Sequence, residues 1–124
     1  MALESLHILV VDDDKNNRQL LETFLMTQGA EVTCCDDGES AYQKFAVQAF
    51  SCIVSDIRMP IMNGLELLSK IRLIQACDTP LILISGDAEF TQSELIDKGA
   101  QGFLKKPFPL QALKNKVLDC ALYL

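Results

Sequence analysis

Acidic residues stand at two separated places, each directly after an apolar run. Asp12, Asp13 and Asp14 follow Leu6-His7-Ile8-Leu9-Val10-Val11, and Asp56 follows Ser51-Cys52-Ile53-Val54-Ser55. A carboxylate beside an apolar core is costly unless a cation or donor meets it. Two further polar endings repeat the pattern: Ser85 closes Leu81-Ile82-Leu83-Ile84, and Lys105-Lys106 close the segment 101–104. Brought together, Asp12, Asp13 and Asp56 would repel one another unless they hold a cation or take up protons. An oxygen-only set suits a hard divalent ion such as Mg²⁺, which keeps waters for an incoming phosphate. A lysine ammonium and a serine hydroxyl would add positive charge and a donor. Such a site allows a carboxylate to attack a phosphoryl group whose moving charge is stabilised.

The spacing of the apolar residues supplies the elements that bring these groups together. The first apolar run reads as a strand, and Leu20, Leu21, Phe24 and Leu25 give the next segment helical spacing up to a stop at Gly29. Asp14 stands where a helix N-cap belongs. A second strand is expected over Glu31 to Cys35, then a helix from about Gly38 burying Ala41, Phe45 and Tyr42. The third strand, Ser51 to Ser55, leads through the Pro60 turn into a helix with Leu67, Leu68, Ile71 and Ile74 on one face. Leu81 to Ile84 is the fourth strand, followed by a more polar helix from about Ala88 to Lys98 that Gly99 ends. A fifth, weaker strand lies near Gln101 to Leu104. The last helix turns Leu110, Leu113, Val117, Cys120 or Ala121, and Leu124 inward.

Five strand-then-helix units imply a parallel sheet, because each crossover needs a helix and returns right-handed. The unbroken apolar character of strands one, three and four means that both their faces are covered. The expected fold is therefore a doubly wound α/β sandwich. In such sheets the carboxyl ends of the strands form the ligand crevice. With the first strand beside the third, the three carboxylates, the hydroxyl and the ammonium share that crevice.

The chain of 124 residues, 49% hydrophobic and 23% charged, suits one globular domain over residues 1–124. No apolar stretch reaches the ~18 residues of a membrane span, and residues 1–5 lack the basic start of a signal peptide, so a cytoplasmic place is expected. The five cysteines, Cys34, Cys35, Cys52, Cys77 and Cys120, include no C-x-x-C pair and read as small buried hydrophobes, kept reduced. His7 is the one histidine and sits on a strand, so no zinc site is expected. A net charge of -6 argues against gripping nucleic acid or an anionic membrane.

The chain resembles the receiver domain of two-component response regulators. The resemblance rests on Val10-Val11-Asp12-Asp13-Asp14, on Asp56-Ile57-Arg58-Met59-Pro60 through Gly64, on Ile84-Ser85-Gly86 and on Lys106-Pro107-Phe108. It implies a flavodoxin-like (βα)5 sandwich with sheet order 2-1-3-4-5. It also implies that Asp56 is the phosphoacceptor and that Asp12 and Asp13 hold Mg²⁺ with Asp56 and the backbone carbonyl of Arg58. Lys106, directly before the proline, takes the phosphate-contacting role, and Ile57 and Gly86 supply backbone donors to the phosphate. Ser85 matches the switch hydroxyl, Phe103 the switch aromatic, and the Lys106–Pro107 bond is expected cis. The implied partner is a sensor histidine kinase or a histidine phosphotransfer protein. The implied role is signalling, and the only chemistry is the domain's own phosphotransfer and autodephosphorylation. Phosphorylation would change partner preference on the face made by the fourth helix, fifth strand and fifth helix. Phe103 departs from the tyrosine often found there and has no hydroxyl to anchor either state.

Two other chemistries share parts of the pattern. A phosphatase of the haloacid dehalogenase type also uses an aspartyl nucleophile at a strand end, but Arg58 stands where its second aspartate belongs. A flavodoxin-like cofactor binder needs backbone donors after the first strand, and Asp12 to Asp14 put negative charge there. Arg58 and Asp87, two residues beyond Asp56 and Ser85 respectively, are expected at the crevice mouth as an ion pair that gates dephosphorylation.

Overall fold

The computed structural model describes residues 2–74, 77–86 and 90–121. Its elements alternate from β1 (His7–Val11), α1 (Lys15–Thr27), β2 (Glu31–Cys35), α2 (Gly38–Val47) and β3 (Cys52–Asp56) to α3 (Gly64–Arg72), β4 (Leu81–Ser85), α4 (Gln92–Asp97), β5 (Gly102–Lys105) and α5 (Leu110–Ala121). All strand pairs are parallel, in the order β2-β1-β3-β4-β5. The doubly wound sandwich and its sheet order are therefore as expected.

Alternation along the strands divides the core in two. Ile8, Val10, Cys52, Val54, Ile82 and Ile84 face Leu21 and Leu25 of α1 and Leu113, Val117 and Cys120 of α5. Leu9, Val11, Ile53, Leu81 and Leu83 face Ala41 of α2, Leu67, Leu68 and Ile71 of α3, and Leu95 of α4. This is the two-sided burial that makes the central strands continuously apolar in sequence.

Local chemistry sets the helix ends. Asp14 caps α1 by accepting the N–H groups of Asn16 and Asn17, as expected. Asn63 with Glu66, and Thr91 with Glu94, form reciprocal capping boxes on α3 and α4. Gly29 and Gly99 end α1 and α4 with φ of 103° and 107°, a region that favours glycine.

Several expectations are corrected. Leu20 is 53% exposed, because α1 packs on β1, β2 and α5 through a stripe narrower than its four apolar residues. The fourth helix starts at Gln92 behind the Thr91 cap rather than near Ala88, where residues 87–89 lie outside the described residues. The fifth strand runs one residue later than expected, and the third includes Asp56. Leu124 lies outside the described residues. The cysteines are all free: Cys35, Cys52 and Cys120 are buried, as small buried hydrophobes would be, whereas Cys34 and Cys77 are only half-buried. His7 bonds through Nε2 to Thr33 Oγ1 at 2.8 Å and packs its ring, tilted, against Phe50, so it serves the strand edge.

Candidate active site

Strand register, not local sequence, brings the acids together. Val11 pairs with Ser55, so the next residue of each strand, Asp12 and Asp56, emerge side by side at the carboxyl edge. Asp56 in turn pairs with Ile84, which puts Ser85 one step beyond it. Ser85 pairs with Lys105, which delivers Lys106 to the same edge while Lys105 stays exposed.

Asp12 is buried, and its backbone N–H donates to Cys35 O at 3.2 Å. Its Oδ1 accepts the Asp14 N–H at 2.9 Å. Burial raises its pKa above the ordinary carboxylate value, against the help of that hydrogen bond, and the neighbouring Asp56 pushes the same way. Asp13 is exposed beside it. One carboxylate oxygen from each of Asp12, Asp13 and Asp56 lies within 4.8 Å of the others. The donor set is all oxygen and carries excess negative charge, which fits Mg²⁺ and not a soft metal.

Asp56 stands between this acidic group and a cation. Its Oδ2 accepts from Lys106 Nζ at 3.1 Å, and its Oδ1 accepts the Ile57 N–H at 3.1 Å. Its side chain is only 12% exposed, and burial raises its pKa despite the hydrogen bond and charge of Lys106. On the outer side of Asp56 a cleft of about 380 Å³ is lined by Asp56, Arg58, Ser85, Gly86 and Lys106. Cation-attracting carboxylates thus lie on one side of Asp56 and anion-attracting groups on the other.

The loop after Asp56 is held closely. Gly64 donates its N–H to Ile57 O at 2.8 Å, and a Cβ at position 64 would lie 2.3 Å from Asp56 O. Only glycine permits that approach. Pro60 O accepts the Met62 N–H at 2.7 Å, a γ-turn centred on Ile61 with φ of 69°. The Lys106–Pro107 bond is cis, as expected.

The Ile57 N–H donates to Ile84 O at 3.0 Å and to the Asp56 carboxylate, so it is engaged by the sheet and by the acceptor residue itself. Gly86 lines the cleft. Arg58 reaches the mouth of the cleft, whereas Asp87, its expected partner, lies outside the described residues. Phe103 is half-buried and packs against the core cluster that includes Leu83 and Leu95. Arg18 was not expected here: its Nη1 donates to the backbone carbonyl of Asp12 at 2.7 Å. A side chain bonding to a carbonyl on another element leaves no mark in hydrophobic spacing.

The comparisons agree with this geometry. The family model described as the response regulator receiver domain matches residues 8–118. The chain is 38% identical over 118 residues to the regulatory protein AtoC of Escherichia coli (strain K12), covering 94% of this chain and 25% of AtoC. It is 36% identical over 103 residues to the transcriptional regulatory protein FixJ of Bradyrhizobium diazoefficiens, covering 82% of this chain and 50% of FixJ. With the sensory/regulatory protein RpfC of Xanthomonas campestris pv. campestris it shares 31% identity over 123 residues, 96% of this chain and 17% of RpfC. The chain therefore spans half or less of the length of these three relatives. Among solved structures, the receiver domain of the Francisella response regulator 1452 matches with a TM-score of 0.85 and 31% identity, over 91% of this chain and 93% of that one. The receiver domain of sensor histidine kinase PA1611 from Pseudomonas aeruginosa PAO1, with a magnesium ion coordinated in its active site cleft, matches with a TM-score of 0.85 and 26% identity, over 94% of this chain and 97% of that one. A parallel sheet of order 2-1-3-4-5 with acids, hydroxyl and lysine at successive strand ends, matched by the family model over nearly all of its length, belongs to the response regulator receiver domains of two-component signalling.

Proposed function

We propose that Asp56 is the phosphoacceptor of this receiver domain and that Asp12, Asp13, Asp56 and the Arg58 carbonyl hold Mg²⁺. The observation that carries this reading is the position of Asp56, shared between the two other carboxylates and Lys106. In the reaction an Asp56 carboxylate oxygen attacks the phosphorus of a phosphohistidine. A P–O bond forms, the P–N bond breaks, and its electron pair leaves with the imidazole nitrogen. Bound Mg²⁺ would neutralise charge on the phosphoryl oxygens. Lys106 is already within hydrogen-bond distance of the acceptor and turns to the transferred group, and the Gly86 backbone lines the same cleft. Autodephosphorylation is the later attack of water on the acyl phosphate.

The acyl phosphate carries roughly -1.5 to -2 charges where the carboxylate carried one, so the crowded edge gains up to about one negative charge. Ser85 lies between the acceptor cleft and an adjoining one lined by Met59, Leu65 and Phe90. Drawn toward the phosphate, Ser85 and Lys106 move their loops inward and open room for Phe103. Partner preference on the α4–β5–α5 face then shifts by the partner's differential affinity for the two states. The donor is a sensor histidine kinase or a histidine phosphotransfer protein, and the place of action is the cytoplasm. Among the described residues no helix is long and apolar enough to cross a membrane.

Intact-mass spectrometry tests the assignment. The protein incubated with an acyl phosphate and Mg²⁺ should gain one phosphoryl group, and Asp56→Asn should gain none. Undiminished gain in Asp56→Asn would move the acceptor elsewhere.

A further inference from the structure

Four bonds close a circuit around the turn that carries the acidic pair. The Asp12 carboxylate accepts the Asp14 N–H at 2.9 Å, and the Asp14 carbonyl accepts the Arg18 N–H at 2.9 Å. Arg18 Nη1 then returns to the Asp12 carbonyl at 2.7 Å, while the Asp12 N–H is tied to Cys35 O at 3.2 Å. Both peptide groups of Asp12 are therefore fixed from outside the loop, one by β2 and the other by α1. Asp13 lies inside this circuit with an exposed side chain, so its direction follows the backbone of the turn.

From this we infer that Arg18 is a positioning residue for Mg²⁺ capture: by bonding the Asp12 carbonyl it holds the turn in which Asp12 and Asp13 present their carboxylates together. The inference rests on the metal site proposed above. Arg18 touches neither the metal nor the phosphoryl group. Its guanidinium is permanently charged and offers rigid, planar donors, so one short bond to a carbonyl can hold an orientation. Groups that orient metal ligands without binding the ion typically change affinity tenfold or more when removed.

The sign of the effect separates positioning from charge. Arg18 brings a positive charge to the Asp12 carbonyl, at the turn that carries the acidic pair, so if it acted only through its field, removing it would leave Mg²⁺ binding unchanged or tighten it. If it positions the turn, removing it weakens binding. Calorimetric titration of Arg18→Ala with Mg²⁺ should show a Kd about tenfold above that of the unsubstituted protein. Arg18→Lys, which keeps the charge and a donor, should fall between them. In metal-free protein the Asp14 amide should exchange faster in Arg18→Ala. At saturating Mg²⁺ the phosphorylation rate should return close to its original value. Unchanged or tighter binding, with Asp14 exchange unaltered, would overturn the inference. Should Arg18→Ala not fold, Arg18→Met, which keeps the apolar stem, carries the same measurements. An unsubstituted protein that binds no Mg²⁺ would overturn both this inference and the proposed metal site, whereas normal binding there with unaltered affinity in the variants would overturn this inference alone.

Discussion

Lys106 Nζ stands 3.1 Å from Asp56 Oδ2, yet the Asp56 carboxyl titrates above its ordinary value because burial outweighs the lysine. The folded protein therefore holds this proton more tightly than the unfolded chain. By linkage, the group's contribution to stability is fully present below the unfolded carboxyl's pKa and is lost as pH rises through the higher folded value. In metal-free buffer at neutral pH, Asp56→Asn should raise Tm by about 2–5 °C. That gain should vanish on acidification below the ordinary carboxylate range. Melting curves in chelator across pH check this, and a gain that persists in acid would trace to shape instead of charge.

Asp13→Ala should weaken Mg²⁺ binding and slow phosphorylation. Without metal it should raise Tm by about 1–2 °C, because one of three crowded negative charges is gone. Melts with and without chelator, beside a Mg²⁺ titration, check both halves. A clear loss of stability in chelator would make Asp13 a structural cap.

Phe103→Tyr should leave the phosphorylation rate nearly unchanged while altering how the α4–β5–α5 face responds. The half-buried phenyl ring needs no hydrogen-bond partner inside the core, whereas a tyrosine hydroxyl would. Amide chemical shifts of α4, β5 and α5 before and after phosphorylation report the difference. Identical shift changes in the two proteins would leave Phe103 as ordinary core.

Arg58→Ala should shorten the phosphate half-life by up to about fivefold, the range an exposed charge pair covers. Arg58 lines the cleft beside Asp56, and the prediction is that it restricts the in-line water that hydrolysis requires. Half-lives of Arg58→Ala, Asp87→Ala and the double variant check it. Strict additivity would mean that the two side chains act separately.

Ile61 is a β-branched residue at positive φ and is 78% exposed. Such a conformation costs about 1–3 kcal/mol, and removing the side chain loses little burial. Ile61→Gly should raise Tm by about 2–5 °C even after glycine's entropic penalty. Thermal melts decide it, and an unchanged Tm would mean that the Ile61 side chain adds no net strain to the turn.

Most of the fold was legible because β1, β3 and β4 announce two-sided burial in their own composition, and Gly29 and Gly99 mark real helix ends. The acids, serine and lysine were legible as strand endings, and the sheet order turned that shared feature into one place. What escaped was long-range and polar. Arg18 reaches a carbonyl across the α1 turn, and Arg72 donates to Gly99 O at 3.0 Å and to Gln101 Oε1 at 2.6 Å, neither of which has a periodic signal. Leu20 fits the helical pattern yet misses the core, since periodicity gives an angle and not the width of the surface that meets it. The engagement of the Ile57 N–H depends on where Ile84 O lies, which only the assembled sheet fixes.

The three buried thiols, Cys35, Cys52 and Cys120, give the molecule an internal clock, while half-buried Cys34 and Cys77 are partly accessible in the closed fold. Burial pushes the Cys34 thiol up to about 12 and raises Cys35, Cys52 and Cys120 as well, which disfavours the reactive thiolate at these four positions while the fold is closed. Opening returns each to ordinary reactivity. An alkylating reagent therefore records excursions rather than static access. Buried Cys35 times the fraying of the edge strand β2, whereas Cys52 and Cys120 share one core layer and together time the departure of α5 from the sheet. The order in which these marks accumulate ranks the elements by how often they let go, without any label being introduced.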